Sequence, residues 1–338
     1  MQKALVSIAV AASLGLGATA AQAAILDDVK AKGYVQCGVT GGVAGFSAPD
    51  SSNIWTGIEV DYCRALAAAI FNDADAVRFT SLTSQERFTA LSAGEVDVLS
   101  RTTTWTMSRD TQLGISFVGT MFYDGQGFMV REEDGIDSTL DLSGAAICIE
   151  SGTTTELNAA DYFATNGMEF NTVVFVDQDE VVKAYEDGRC DVYTTDASAL
   201  ASERSKFADP DAHIILPEII SKEPLGPSVR SGDTQWFDIA RWTYFALLEA
   251  EELGVSSANV DEQLGSDNPA IKRLLGVEGE FGAPLGLDNA WAYQIIKLVG
   301  NYAEAYDRNV GPDTPIGLER GLNALWSDGG IQYSPPIR

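Results

Sequence analysis

Two nine-residue stretches of this chain repeat one layout, and the repeat restricts it to folds built twice. Gly94-Glu95-Val96-Asp97-Val98-Leu99-Ser100-Arg101-Thr102 and Gly188-Arg189-Cys190-Asp191-Val192-Tyr193-Thr194-Thr195-Asp196 each run from a glycine closing a helical stretch, through an aspartate-valine strand start, to a polar exit. The echo extends to Cys37-Gly38-Val39-Thr40-Gly41 and Cys148-Ile149-Glu150-Ser151-Gly152, apolar strands that open into a hydroxyl residue and a glycine. Two similar lobes are expected, and 338 residues at 45% hydrophobic suffice for two cores.

Periodicity supplies the elements. Lobe 1 is predicted to run strand 35–39, helix 60–71, strand 76–79, helix 85–93 and strand 96–100; lobe 2 to run strand 146–149, helix 154–164, strand 172–176, helix 179–187 and strand 191–194. Alternating strands and helices imply mostly parallel sheets flanked by helices. Beyond Ser221, a Pro/Gly-rich segment leads to predicted helices over 233–253, 288–306 and 317–325, with no third lobe begun. The expected division is therefore 24–130 and 222–338 in lobe 1 and 131–221 in lobe 2, joined by two crossings near Val130 and Ser221 that make a hinge.

Residues 1–23 are expected to be a secretory signal: Lys3, an apolar run to about Leu16, and an Ala21-Gln22-Ala23 cleavage site, with the mature chain starting at Ala24. No later apolar run is long enough for a span, so a soluble periplasmic protein without direct membrane insertion is expected. Cys37, Cys63, Cys148 and Cys190 lie in the exported part, where disulfides are favoured. Of three possible pairings, the lobe repeat favours Cys37–Cys63, a strand and the helix packed on it, and Cys148–Cys190, two neighbouring strands. Zinc is disfavoured, since no C-x-x-C spacing exists and His213 is the only histidine. No metal or cofactor is expected. Forty-nine acidic against 22 basic residues give a net charge of −27, a field that repels nucleic acid and anionic membrane.

Ligands of α/β sheets sit beyond the carboxyl ends of strands and at helix N-termini. One such exit reads Thr102-Thr103-Thr104-Trp105-Thr106-Met107-Ser108-Arg109, where an arginine fork and hydroxyls suit a carboxylate. Arg101 is expected to turn to the opposite face and stay exposed. In lobe 2, Thr153 to Glu156 could be a plain helix cap or an anion site at a helix N-terminus, and Asp196 could be an N-cap or an ammonium ligand. An arginine fork, a helix N-terminus and a lone carboxylate, drawn from two lobes, match the two charges of a free amino acid.

These pieces resemble the extracytoplasmic amino-acid-binding proteins of ABC importers, within them the general L-amino-acid binders. The resemblance rests on Gly57-Ile58-Glu59-Val60-Asp61-Tyr62-Cys63, on the Thr102–Arg109 segment, on Gly152-Thr153-Thr154-Thr155-Glu156, and on Gly188-Arg189-Cys190-Asp191 with Thr194-Thr195-Asp196. It implies an α/β, two-lobed periplasmic binding protein type II fold. It further implies that Arg109, Thr104 and the backbone at Thr154 hold a ligand carboxylate, while the Thr102 carbonyl and Asp196 hold its ammonium. Many relatives place an aromatic ring over the ligand ahead of a Pro-Phe pair. Here Phe46 is retained, but the ring position is Val43, which implies a roomier pocket. Side-chain selectivity is expected from the loops around Phe46, Ser84, Gln85 and Tyr123.

Three function classes follow. The first is a monomeric binder that closes on a free L-amino acid and docks inner-membrane ABC permease subunits. The second is a periplasmic enzyme on the same scaffold, such as a cyclohexadienyl dehydratase, which would need a general acid or base beside the ligand. The third is the sensing module of a receptor, disfavoured because no signalling domain is legible. No G-x-S-x-G, H-E-x-x-H or G-x-x-x-x-G-K motif occurs, and His213 reads as a turn residue leading into an edge strand. The binder is expected.

Overall fold

The computed structural model describes residues 24–338; the signal-peptide expectation for 1–23 lies outside the described residues. The chain opens with α1 (Ile25–Lys32), β1 (Val35–Val39), a short hairpin of β2 (Ala48–Pro49) and β3 (Trp55–Thr56), and α2 (Ile58–Phe71). It continues through β4 (Val77–Ser81), α3 (Arg87–Ala93), β5 (Val98–Leu99), α4 (Met107–Gln112) and β6 (Ile115–Phe117). A crossing strand, β7 (Phe122–Asp124), leads to β8 (Gln126–Arg131), β9 (Ala146–Glu150), α5 (Thr154–Thr165), β10 (Asn171–Phe175), α6 (Gln178–Glu186), β11 (Val192–Asp196), α7 (Ala197–Arg204) and β12 (His213–Ile215). The return strand β13 (Glu223–Leu225) is followed by β14 (Ser228–Arg230), α8 (Thr234–Glu252), α9 (Val260–Gln263), α10 (Pro269–Leu274), α11 (Trp291–Leu298) and α12 (Tyr302–Asn309).

The repeat becomes two five-stranded sheets of matching order, β4-β1-β5-β14-β6 and β10-β9-β11-β8-β12. In each, the first three strands run parallel and the fourth is reversed against both of its neighbours. The reversed strands, β14 and β8, are the ones entered directly from a crossing. Between the lobes, β7 and β13 pair antiparallel as a two-stranded ribbon, with Glu223 opposite Asp124 and Leu225 opposite Phe122.

The first crossing falls at Gly125 rather than near Val130, because Gln126–Arg131 is already a strand of the second sheet. The two strands part at Gly125, where a Cβ would stand 2.1 Å from the Ile219 side chain and 2.7 Å from the Ser221 carbonyl oxygen. The predicted helix over 288–306 is two helices, split at Gly300 (φ 97°) and restarted by an Asn301–Glu304 capping box. The predicted helix over 317–325 is no α-helix but a single 3₁₀ turn, Gly321–Asn323.

Both disulfides join the cysteines the repeat paired: Cys37 with Cys63, tying β1 to α2, and Cys148 with Cys190, tying β9 to the turn before β11. Lobe 1 buries its largest core between the sheet and α2, α8, α11 and α12, with Trp236, Tyr62, Tyr302 and Tyr306 fully enclosed. Lobe 2 packs one cluster around Phe128 and Phe163 and another around Tyr185 and Tyr193. Among the described residues no helix is long and apolar enough to cross a membrane.

Candidate ligand-binding site

The strand exits of both sheets face one another across the β7–β13 ribbon, and the residues that meet there come from six segments of chain. The lobe 1 wall is fixed first by Glu59. It sits in the first turn of α2 behind Gly57, whose φ of 130° and close approach to the Phe46 carbonyl leave no room for a side chain. Buried beneath the sheet exits, the Glu59 carboxylate accepts from the Ser47 hydroxyl at 2.8 Å and from the Thr102 backbone N–H. Thr102 is thereby held at φ 36°, a left-handed conformation that a β-branched residue adopts only under constraint. Burial pushes the Glu59 carboxyl above its ordinary value, against hydrogen bonds from Thr102 and Ser47 and the charges of Arg101 and Arg87.

The next three residues pair with the return strand. Trp105 N–H donates to the Pro224 carbonyl (2.8 Å) and Gly226 N–H to the Thr103 carbonyl (3.0 Å), which brings Thr104 alongside the ribbon. Thr106 then caps α4, accepting from the backbone of Arg109, so the arginine leaves the first helical turn directed back at its own strand exit. Its guanidinium donates to the Thr104 carbonyl at 2.9 Å and lies 5.3 Å from the Phe88 ring centre. Burial lowers its pKa, partly offset by Glu223 and Asp196.

From lobe 2, Thr153 is the N-cap residue of α5, but its hydroxyl donates to the Glu150 carbonyl and makes no cap bond. The helix therefore starts without the capping box that Glu156 could have closed, leaving its first amides for an anion. Asp196 precedes α7 and does not cap it either. That task falls to Asp124 on β7, which accepts from the Ser198 backbone and hydroxyl. The Asp196 carboxylate is thus released from helix capping and stands among Asp124, Glu223, Arg87 and Arg109. Burial, then the Asp124 and Glu223 charges, raise its pKa well above the ordinary value.

Thr102, Thr104, Thr154 and Asp196 line one narrow cavity of about 30 Å³. Val43 lines it too, but Arg109 and Phe46 do not: the Arg109 guanidinium sits behind it on the Thr104 carbonyl, and the Phe46 ring is buried in the lobe 1 core, edge-on to Phe122 at 5.1 Å. The lobes touch around this cavity. Gln85 donates to the Ser151 hydroxyl (2.8 Å), Arg87 to the Gly152 carbonyl (3.2 Å), Ser202 to the Ala44 carbonyl (2.9 Å) and Lys206 to the Gly42 carbonyl (3.0 Å). The conformation is closed.

Sequence reasoning missed several cleft residues and misplaced one. Arg101 is buried, not exposed: β5 ends at Leu99, so strand alternation no longer governs it. Its Nε donates to the Leu82 carbonyl, and its guanidinium stands 3.7 Å from Glu150. Arg87, also buried, carries an Nε with no partner and lines the same cavity. Glu223 accepts from Thr104 (2.6 Å), Thr154 (2.9 Å), Asn158 (2.6 Å) and Ser221 (2.6 Å), joining both lobes and the ribbon through one buried carboxylate. A charge set against Pro224 in a crossing segment was the available sign. His213 lies on edge strand β12, bonded to the Tyr185 hydroxyl, and does not line the cavity.

Comparison with known proteins places this architecture. The model for bacterial extracellular solute-binding proteins, family 3, matches residues 35–253. The chain belongs to that family. This family 3 binding protein is 59% identical, over the full length of both chains, to the general L-amino acid-binding periplasmic protein AapJ of Rhizobium johnstonii. It is 51% identical, over 98% of each chain, to the glutamate/glutamine/aspartate/asparagine-binding protein BztA of Rhodobacter capsulatus. Among solved structures, an ABC transporter periplasmic binding protein from Brucella ovis with glutathione bound superposes with a TM-score of 0.92. The two are 57% identical, and the match covers 94% of this chain and 100% of that one.

Proposed function

We propose that this solute-binding protein captures free L-amino acids in the periplasm by closing its lobes on them, and hands them to an ABC permease. The observation that carries the reading is the division of charge: the Arg109 guanidinium and the uncapped N-terminus of α5 on one side, the uncapped carboxylate of Asp196 on the other. An α-carboxylate meets the first pair and an α-ammonium the second. Glutathione, held by the Brucella relative, presents the same pair of charges at its γ-glutamyl end, and the names of the two sequence relatives point to amino acids.

Binding energy goes into closure: the ligand bridges Arg109 and Asp196, and the interlobe bonds of Gln85, Arg87, Ser202 and Lys206 form with it. The permease then reads the closed outline.

An enzyme on this scaffold is the alternative. The observation in its favour is the raised pKa of Asp124 and Asp196, as a general acid would need. Asp124, however, is engaged in capping α7. The test is calorimetric titration of ligand-stripped protein against the twenty L-amino acids, with product analysis of each mixture. One-to-one binding and intact amino acid support the transport reading; no heat with any of them defeats it, and a consumed ligand shifts it to the enzyme.

A further inference from the structure

The cleft does not end at the head-group cavity. Arg101, Glu150 and Gln178 line both that cavity and a second, outer chamber of about 220 Å³, so the two are neighbours across one shared wall. Its lobe 1 side comes from the exits of β1 and β4, including Ser81 and Thr83; its lobe 2 side comes from the start of α6, including Asp177. Apart from Leu82 and two glycines, every residue of that lining is polar or charged.

We propose that this outer chamber receives whatever a ligand carries beyond its first amino-acid unit, and that the protein binds γ-glutamyl peptides as well as free amino acids. The inference rests on the head-group reading above, and the linkage follows from it. Arg109 asks for a free α-carboxylate and Asp196 for a free α-ammonium. An α-linked peptide loses one of those charges to its own peptide bond at every position. A γ-linked peptide keeps both on its first residue and sends the rest of the chain out along the side chain.

On the same measure the inner cavity is the smaller, at about 30 Å³, and the outer chamber, at about 220 Å³, is where an extension has room. At the junction, the Arg101 guanidinium and the Glu150 carboxylate stand 3.7 Å apart, too far for a hydrogen bond with each other. They present one donor and one acceptor side by side from opposite lobes, which is what the C=O and N–H of a single amide require. A glutamine side-chain amide satisfies the same pair and stops there; a γ-glutamyl peptide continues past it.

The test is calorimetric titration of ligand-stripped protein with L-glutamine, γ-L-glutamylglycine and α-L-glutamylglycine. L-Glutamine and the γ-peptide should each bind one-to-one and compete, with the α-peptide weaker by about a hundredfold or more, the loss expected when a charged group is left without its partner. Ser81→Phe, which fills the outer chamber from a strand end outside the head-group cavity, should weaken the γ-peptide by about tenfold more than L-glutamine. Binding of L-glutamine without the γ-peptide overturns the inference and leaves the amino-acid reading intact. Failure of every amino acid and of the γ-peptide overturns both. Equal binding of the α- and γ-peptides overturns the argument from linkage, and a Ser81→Phe variant that weakens both ligands alike overturns the assignment to this chamber.

Discussion

Thr104, at the exit of a lobe 1 strand, donates its hydroxyl to Glu223 on the return strand at 2.6 Å. A threonine hydroxyl has one proton, and here it is given away. Thr104 Oγ1 is left as an acceptor, so in this state it offers a ligand carboxylate no proton. On the proposed reading the ligand carboxylate meets Arg109 and the first amides of α5, while Glu223 holds Thr104, Thr154 and Asn158 in place. Glu223→Ala strands four donors at once. It should weaken amino-acid affinity by at least about tenfold and lower the melting temperature, since hydrogen bonds to a charged group contribute roughly 1.5–3 kcal/mol. Titration calorimetry with unchanged affinity for every amino acid would remove Glu223 from this role.

Arg109 and Asp196 stand on opposite lobes, and on the proposed reading each meets one charge of the ligand. Arg109→Ala and Asp196→Ala are each expected to cost roughly 2–5 kcal/mol of binding, because each leaves one ligand charge unpaired inside a closing cleft. Asp196→Asn, which keeps the shape and drops the charge, should fall nearly as far. Wild-type affinity in either alanine variant would place the ligand elsewhere.

The burial of Asp124 predicts a stability that changes with pH. Burial raises its carboxyl from 3.8 to about 6, against the hydrogen bonds from Ser198 and Gly125, with the Glu223 charge adding to the rise. Between about pH 4 and 6 the folded protein therefore holds a proton that the unfolded chain has released, so this group's contribution to stability falls as pH rises through that window. Asp124→Asn does not titrate. Any cost of its altered hydrogen bonding is the same at every pH, so its melting temperature minus that of the wild type should grow from pH 4 to pH 7. A difference that stays flat across this range would exclude the shift.

Much of this was legible in the sequence because it was written twice. The repeat located β1 with β9 and β5 with β11, and with them the cysteine partners, one pair a strand and its packed helix, the other two neighbouring strand segments. Whether Thr153 and Asp196 cap their helices stayed open in the sequence for a physical reason: both have the residue types of N-caps, but the chain gives Thr153 to a carbonyl and lets Asp124, distant in sequence, cap α7. Arg101, Arg87 and Glu223 were illegible for a related reason. Local patterning assigns a lone charge to solvent, and what buries these three is the approach of the other lobe. The first crossing was misplaced because Phe128-Met129-Val130 carries the apolar signal, while Gln126, ahead of it, already pairs in the second sheet, and Ile219 and Ser221 crowd Gly125 from the far end of lobe 2.

The two disulfides close loops of 26 and 42 residues, one in each lobe. By the loop-closure entropy removed from the unfolded chain, the first stabilises by about 3.5 kcal/mol and the second by about 4 kcal/mol. Replacing Cys37 and Cys63 by alanine should therefore lower unfolding free energy by about that amount in urea, and replacing Cys148 and Cys190 by slightly more. Neither bridge lines the cleft cavity, so each double variant, while still folded, should keep its amino-acid affinity to within about tenfold. Most of each lobe's core is its own, with only Ala199 and Ala201 of α7 among the buried lobe 2 residues joining the lobe 1 cluster, so each loss should appear first in the unfolding of its own lobe, followed by hydrogen exchange at β1 for one variant and at β9 for the other. A variant that loosened both lobes equally would mean that the ribbon and the interlobe bonds couple them into a single cooperative unit.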